Sequence, residues 1–196
     1  MIPRGTVARS HEAVRACLFP GALAVDATVG NGHDTLFLAR AVGSGGRVEG
    51  LDIQASALTA ARERLEQAGA LDRVRLHQGG HEALLRILPE AARGRVRAVM
   101  FNLGYLPGGD KGVVTRPDST LAGLEAAAGL LAPGGRIAVV GYPGHPGGAE
   151  ECEAVSEWAR KRRPDGLLVR HQEEPESGHC GPRLLVLERG PVSGED

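Results

Sequence analysis

Short apolar runs alternate with segments of helical periodicity along the chain. Runs of four to six residues rich in Val, Ile and Leu are typical of buried strands, and seven occur: Ala22–Val25, Val48–Leu51, Val74–His77, Val96–Phe101, Ile137–Val140, Leu167–Arg170 and Leu184–Leu187. Apolar residues that recur every three or four positions predict helices within residues 6–20 and over residues 34–42, 56–68, 84–88, 117–131 and 148–163.

This alternation predicts an α/β fold whose parallel strands are buried on both faces. No helix separates the last two strands, which predicts an antiparallel hairpin at one edge of the sheet. We therefore expect one domain over residues 1–196, a doubly wound, seven-stranded Rossmann-like sheet, and a flexible tail over residues 190–196. Ligands of such sheets bind at the carboxyl ends of the strands.

Composition narrows the class of protein. The net charge of −1 lacks the basic excess of many nucleic-acid binders, so an RNA partner would be contacted through local patches. No apolar stretch approaches the roughly 18 residues of a membrane span and no leader is evident, so we expect a cytoplasmic protein without membrane contact. Cys17, Cys152 and Cys180 lack paired spacing, which predicts neither a disulfide framework nor a zinc site.

A glycine-bearing loop, GNGHDT over residues 30–35, joins the first predicted strand to its helix. A dinucleotide site needs glycine at all three positions of GxGxxG, because the pyrophosphate sits on bare backbone N–H groups. Thr35 occupies the third position here, and Asp34 would repel the phosphates. S-adenosylmethionine (SAM) carries no phosphate but does carry a sulfonium and an ammonium, which a carboxylate attracts. Asp34 therefore favours SAM over a dinucleotide.

A second acid, Asp52, ends the second predicted strand. It lies about 20 residues beyond the loop, where a carboxylate accepts hydrogen bonds from both ribose hydroxyls. The alternative is that Asp34 only complements the helix dipole and that Asp52 is a turn acid. The joint occurrence of both acids with the loop favours a nucleoside site. His11, in the N-terminal helix, is interpreted as a surface residue.

Three further strand ends carry polar or aromatic residues. A loop of about 14 residues follows the strand that ends at Phe101, and long loops in compact domains are usually functional or disordered. In it, the Asn102 carbonyl could hold an amine with its lone pair aimed at the sulfonium, and Tyr105 could stack on a base.

Tyr142 and His145 follow the next strand, and His145 could accept a proton or act as a turn residue. Gly80 and His81 follow the third strand, where many enzymes of this fold place an acid for adenine.

The segment FNLGYLPGGD resembles the Asn-Pro-Pro-Tyr motif of amino-group methyltransferases, with Leu103 and Gly104 in place of the prolines. With DATVGNGHDTLFLA, LDIQ, GHE and YPGHPGG, it resembles one family over nearly all of residues 6–189. These are small bacterial methyltransferases formerly classed as rRNA methylases and now associated with tRNA 5-aminomethyl-2-thiouridine methylation. The chain departs from the family pattern at Gly80, where Ser is usual, and over Glu173–Pro182, which replaces an Asn-rich segment.

The resemblance implies a class I SAM-dependent methyltransferase fold and methyl transfer to the primary amine of 5-aminomethyl-(2-thio)uridine at the tRNA wobble position. The partner would be the anticodon region of tRNA, bound by a monomer or homodimer. The cofactor-binding residues would be Asn31, Asp34, Asp52, Gln54, Gly80 and His81. The catalytic candidates are Asn102, Tyr105, Asp110 and His145, and the substrate-binding candidates are Tyr142 and Lys111. Asp110 or His145 would carry away the proton of the amine, which resembles Lys with a pKa of about 10.

Other functions stay open at this point. A methyltransferase acting on rRNA or on a small-molecule amine would share every cofactor residue. A nicotinamide-dependent oxidoreductase is disfavoured by Asp34 and Thr35, and a non-catalytic RNA-binding protein is disfavoured by the intact acids and Asn102. The basic run Arg160–Arg163 either complements the dipole of its helix or contacts RNA phosphates.

Overall fold

One mixed sheet forms the centre of the computed structural model, which describes residues 5–106, 108, 112, 114–173 and 181–191. Its strands lie in the order β3-β2-β1-β4-β5-β7-β6. They are β1 (Leu23–Asp26), β2 (Arg47–Asp52), β3 (Val74–Gln78), β4 (Val96–Asn102), β5 (Leu131–Gly141), β6 (Leu167–Gln172) and β7 (Arg183–Arg189). β7 pairs antiparallel with both β5 and β6, and the pairs from β3 across to β5 are parallel.

Helices connect the parallel strands and cover both faces. They are α1 (Thr6–Arg15), α2 (His33–Val42), α3 (Ala55–Gln67), α4 (Leu84–Ile87), α5 (Pro117–Leu130) and α6 (Gly148–Lys161). Pro117 starts α5 where its missing N–H costs no hydrogen bond, and acidic residues open α6 while basic residues close it, as the helix dipole favours. No helix in the described part of the chain is long and apolar enough to cross a bilayer.

Strand order places the ligand crevice. Nucleotide-binding doubly wound sheets commonly run 3-2-1-4-5-6, and the order reverses between strands 1 and 4. The present sheet has the same reversal between β1 and β4, with antiparallel β7 inserted between β5 and β6. Loops after β1 and β4 therefore leave the sheet in opposite directions, which opens a crevice at their carboxyl ends.

The hydrophobic core lies on both sides of β4. Phe101 packs with Leu124 on one face, whereas the adjacent Met100 packs with Leu38 and Leu65 on the other. Successive strand residues point to opposite faces, so a strand buried on both sides must be apolar throughout. This is why the run before Asn102 contains almost no polar residue.

The seven strands, the parallel core and the C-terminal antiparallel hairpin confirm the fold class predicted from sequence. One boundary differs. The strand predicted to begin at Ile137 begins at Leu131, directly after α5, and Pro133-Gly134-Gly135 forms an irregularity inside β5. Leu131 pairs with Val96 and Arg136 with Ala98, so five positions on β5 oppose two on β4. Residues 192–196 of the expected tail lie outside the described residues.

The conformation of the loop after β1 depends on a glycine, so a substitution of that glycine tests it. Gly32 has a φ of +77°, and a Cβ there would lie 2.8 Å from Ala61 Cα. Gly32→Ala should therefore combine left-handed backbone strain of about 1–2 kcal/mol with an overpacking cost of about 1–3 kcal/mol. Gly69→Ala is the matched control, because its φ is +61° with nothing within 4 Å. Urea unfolding should rank the wild type above G69A and G69A above G32A; equal losses in the two variants would contradict the clash.

Candidate active site

One cavity of about 860 Å³ lies at the carboxyl ends of β1 to β5, within the roughly 300–1,000 Å³ usual for ligand pockets. Ten of the site residues predicted from sequence line it: Asn31, Asp34, Asp52, Gln54, Gly80, His81, Asn102, Tyr105, Tyr142 and His145. The remaining two, Asp110 and Lys111, lie outside the described residues. Their proposed roles stay predictions, but the fold brings the ten together.

The Asp52 carboxylate is fixed by two backbone donors. Gly30 N donates to Asp52 Oδ2 at 2.8 Å and Gln54 N donates to Oδ1 at 2.9 Å. The first contact links the end of β2 to the glycine loop after β1, and the positive φ of Gly30 (+50°) turns the loop toward it. The carboxylate lines the cavity with lone pairs left to accept further hydrogen bonds, such as those of a diol.

Asp26, at the end of β1, lies completely buried beneath the same loop. Thr35 Oγ1 donates to Asp26 Oδ2 at 2.5 Å and Thr28 N donates to Oδ1 at 3.2 Å. Burial raises the pKa of the Asp26 carboxyl from its ordinary 3.8 to about 7, and the negative charge of Asp34 raises it further than burial alone would. Asp26 was not among the site residues predicted from sequence.

Asp34, in the first turn of α2, is nearly buried and lies between two side chains. His11 Nε2 is 2.7 Å from Asp34 Oδ1, and Asn102 Nδ2 donates to Asp34 Oδ2 at 3.4 Å. The interpretation of His11 as a surface residue is wrong: its ring is partly buried and stacked on Phe37, with the ring centres 3.9 Å apart. His11 and Asp34 are 23 positions apart along the chain, so the sequence carried no local signal for their contact.

Asn102, at the tip of β4, is held through its backbone as well as its side chain. Asn102 N donates to Thr28 Oγ1 at 2.7 Å, which fixes the strand end against the loop after β1. Its side chain also lies near Tyr142, and it lowers the pKa of the Tyr142 hydroxyl slightly against two larger effects. Burial foremost, and then the charge of Asp34, raise the pKa of the Tyr142 hydroxyl. The phenol is therefore neutral at physiological pH and can both donate and accept.

A buried carboxylate that sequence reasoning missed supports the loop after β4. Glu151 is 1% exposed, and it accepts hydrogen bonds of 2.7 Å from the hydroxyls of both Thr115 and Thr120. Thr115 Oγ1 in turn accepts the backbone N–H of Gly104 at 2.9 Å. The start of α6 thereby fixes the segment that carries Tyr105. Separations of 31 and 36 positions leave no local sequence signal for these contacts.

His81 and His145 flank the cavity in different environments. Burial lowers the pKa of His81, and the charges of Glu82 and Glu151 oppose that shift. His145 Nδ1 lies 3.0 Å from the carbonyl oxygen of Pro146 and donates to it, because a carbonyl only accepts. The neutral His145 ring then carries its lone pair on Nε2, which is buried and has no hydrogen-bond partner among the described residues.

Negative charge dominates the inner lining of the cavity. The carboxylates of Asp34, Asp52 and Glu82 line it, and Glu82 supplies an acid after β3 that was not among the predicted site residues. Gly80 allows this arrangement, because a Cβ there would lie 2.2–2.6 Å from the Glu82 carboxylate. Such a lining attracts a cation and repels a pyrophosphate.

Comparison with known proteins identifies the family of this chain. The family described as "Putative rRNA methylase" matches residues 48–188. The chain belongs to this family. Over 154 residues it is 47% identical to a tRNA (mnm(5)s(2)U34)-methyltransferase, chloroplastic, of Arabidopsis thaliana, a match that covers 74% of the chain and 56% of that protein. It is 40% identical over 86 residues to ribosomal RNA small subunit methyltransferase H of Acidothermus cellulolyticus, covering 44% and 25% respectively. The chain thus spans about half, or less, of the length of these relatives.

Solved structures of similar proteins share the whole fold. A protein described as a "putative rRNA-methylase" from Clostridium thermocellum superposes with a TM-score of 0.89 at 37% identity, covering 96% of this chain and 100% of that one. A protein described as a "putative methyltransferase" from Streptococcus mutans, solved in complex with SAH, gives 0.83 at 32% identity, covering 96% and 99%. The sheet described above is therefore the Rossmann-like methyltransferase fold that the resemblance implied.

The raised pKa of Asp26 predicts how stability depends on pH. The pKa of Asp26 is raised from its ordinary value of 3.8 to about 7 in the folded state. At pH values between these two, the folded protein keeps a proton on Asp26 that the unfolded chain releases. This proton therefore makes its full contribution to the free energy of unfolding below about pH 4. The contribution falls by up to about 1.4 kcal/mol per pH unit and is lost as the pH rises through 7.

Asp26→Asn removes that titration. Its free energy of unfolding relative to the wild type should rise between pH 4 and pH 7, as measured by urea unfolding across that range. Asp72→Asn, at an exposed residue, is the control and should run parallel to the wild type. A D26N curve that also runs parallel would refute the shift.

Proposed function

We propose that this protein is a SAM-dependent methyltransferase that methylates the 5-aminomethyl group of (2-thio)uridine at the wobble position of tRNA. The observation that carries the proposal is the position of Asn102, at the tip of β4 in a cavity lined by carboxylates. The similarity to a plant tRNA methyltransferase supports the choice of substrate. The anticodon region of tRNA would be the part bound.

The donor set of the cavity fits SAM. Asp52, held by Gly30 N and Gln54 N, would accept hydrogen bonds from the ribose hydroxyls, and Ile53, which is 52% exposed at the cavity, offers an apolar surface to the adenine. Asp34 would complement the positive charges of the ligand, with Asn31, Gly80 and His81 also in contact. When bound, SAM supplies an activated methyl group on a positively charged sulfur.

The protein contributes mainly by positioning the acceptor amine. Methyl transfer is an in-line displacement, so holding the nitrogen at near-attack distance is the main source of acceleration. The Asn102 carbonyl can accept an N–H of the amine and aim its lone pair, while Tyr105 and Tyr142, 41% and 36% exposed at the cavity, can stack on the base. His145 and Asp110 are the candidates for accepting the amine proton, and Lys111 is the candidate for substrate contact.

Methylation of rRNA is the second candidate, because the family description and a ribosomal RNA relative both name it. The basic residues at the end of α6 do not decide between the substrates, since most of them are already paired within the protein. Arg160, Lys161 and Arg162 form ion pairs with Glu153, Glu157 and Glu125. Pairing within the protein leaves less of the positive charge of this run for RNA phosphates.

The decisive experiment incubates the purified protein with isotope-labelled SAM and, in parallel reactions, with tRNA that carries 5-aminomethyl-2-thiouridine or with rRNA. Mass spectrometry of the nucleosides should show the label in 5-methylaminomethyl-2-thiouridine, and Asn102→Ala should lower the turnover about 100-fold while SAM affinity stays near that of the wild type. Label found only in rRNA would favour the second candidate. No transfer to either RNA, or wild-type turnover in N102A, would contradict the proposal.

The ribose contact is tested separately through cofactor affinity. Asp52→Ala removes the acceptor for both hydroxyls and the anchor of Gly30 N, so SAM binding by calorimetry should weaken at least about 100-fold, which corresponds to two hydrogen bonds to a charged group. Asp72→Ala, outside the cavity, should leave the affinity unchanged. Undiminished binding by D52A would remove this assignment.

A further inference from the structure

The N-terminal helix contributes His11 to the site, although His11 itself does not line the cavity in the way that Asp34 and Asn102 do. His11 Nε2 lies 2.7 Å from Asp34 Oδ1, and the other oxygen of the same carboxylate accepts the side-chain amide of Asn102. We propose that His11 is a positioning residue that acts through Asp34 to fix the orientation of the Asn102 amide. This inference rests on the proposed function, in which Asn102 holds the acceptor amine.

The orientation follows from the chemistry of the three groups. A carboxylate only accepts hydrogen bonds, so the atom of Asn102 that faces Asp34 must be its amide nitrogen. The carbonyl oxygen, at the opposite corner of the planar amide, then points away from Asp34. Reversing the amide would place two acceptors 3.4 Å apart, which repel each other. Asp34 thus selects the orientation that leaves a carbonyl free to accept an amine N–H.

His11 is well placed to fix Asp34. Its ring lies parallel to the Phe37 ring, with an interplanar angle of 4° and 3.9 Å between centres, and the Arg15 guanidinium lies 5.0 Å from the centre of Phe37. This stacking restricts rotation of the imidazole and keeps Nε2 directed at the carboxylate. His11 therefore limits the rotation of Asp34.

The chain offers a matched control for loss of a histidine–carboxylate pair. His77 Nε2 lies 2.7 Å from Glu49 Oε2, and the exposures of the two side chains, 29% and 10%, nearly equal the 25% and 9% of His11 and Asp34. His77 is on β3 and does not line the cavity. Removing either histidine should cost similar stability, but only one of the pairs contacts Asn102.

The first test observes the amide itself. The Asn102 side-chain NH₂ signals in a ¹⁵N–¹H spectrum are assigned by their disappearance in Asn102→Ala. In His11→Ala these signals should shift and exchange faster with water, His11→Gln should largely restore them because its amide can still donate to Asp34, and His77→Ala should leave them unchanged. Unchanged Asn102 signals in H11A would overturn the inference, whether or not the protein transfers a methyl group.

The second test is a double-mutant cycle on methyl transfer at saturating SAM. His11→Ala should lower turnover about tenfold or more with SAM affinity close to that of the wild type, yet cause no further loss in the N102A background, because residues that act through one another are not additive. The H77A control should be additive with N102A. Equal losses from H11A in both backgrounds would overturn the positioning role. A wild type that binds SAM but transfers no methyl group would overturn the proposed function, which the amide spectrum tests independently.

Discussion

The reversal of strand order between β1 and β4 is the constraint on which the rest of the site depends. Because the loops after these two strands diverge, the backbone leaves a crevice that no core side chain fills, and residues far apart in sequence meet there. The backbone N–H of Asn102 bonds to Thr28 Oγ1 across this boundary, so the two strand tips are fixed to each other. A shift in the pairing of β1 with β4 would separate the glycine loop from the residue proposed to hold the acceptor.

Carboxylates, rather than apolar contacts, fix the loops around this crevice. Asp52 accepts two backbone N–H groups, Asp26 accepts one backbone and one hydroxyl donor, and Glu151 accepts two hydroxyls. A buried polar group is costly unless hydrogen bonds satisfy it, and here the donors come largely from loops. Of these three groups Asp52 lines the cavity, so a carboxylate that orders the loops also suits a cationic ligand.

The sequence predicted what is local or periodic. Buried strands, the glycine loop and the acid at the end of β2 lie within single βαβ units, where spacing along the chain is equivalent to spacing in the fold, and the comparisons confirm the fold and the family. What it did not predict are contacts between distant segments, namely Glu151 with Thr115 and His11 with Asp34. These pairs depend on how α6 and α1 pack, and single residues of those types carry no periodic signal. The start of β5 at Leu131, six residues before the predicted strand, was not predicted either, because it depends on pairing with Val96.

The placement of the aromatic residues adds an independent argument about what the cavity binds. Aromatic residues make up only 3% of the chain, which has two tyrosines. Both Tyr105 and Tyr142 lie at the cavity with more than a third of their surface exposed. An aromatic ring left in water forgoes the burial that it could gain elsewhere, and the aliphatic core shows that this fold does not require tyrosine for packing. Exposed rings beside a polar strand tip are instead suited to a planar ligand that covers them, as a flipped nucleobase would.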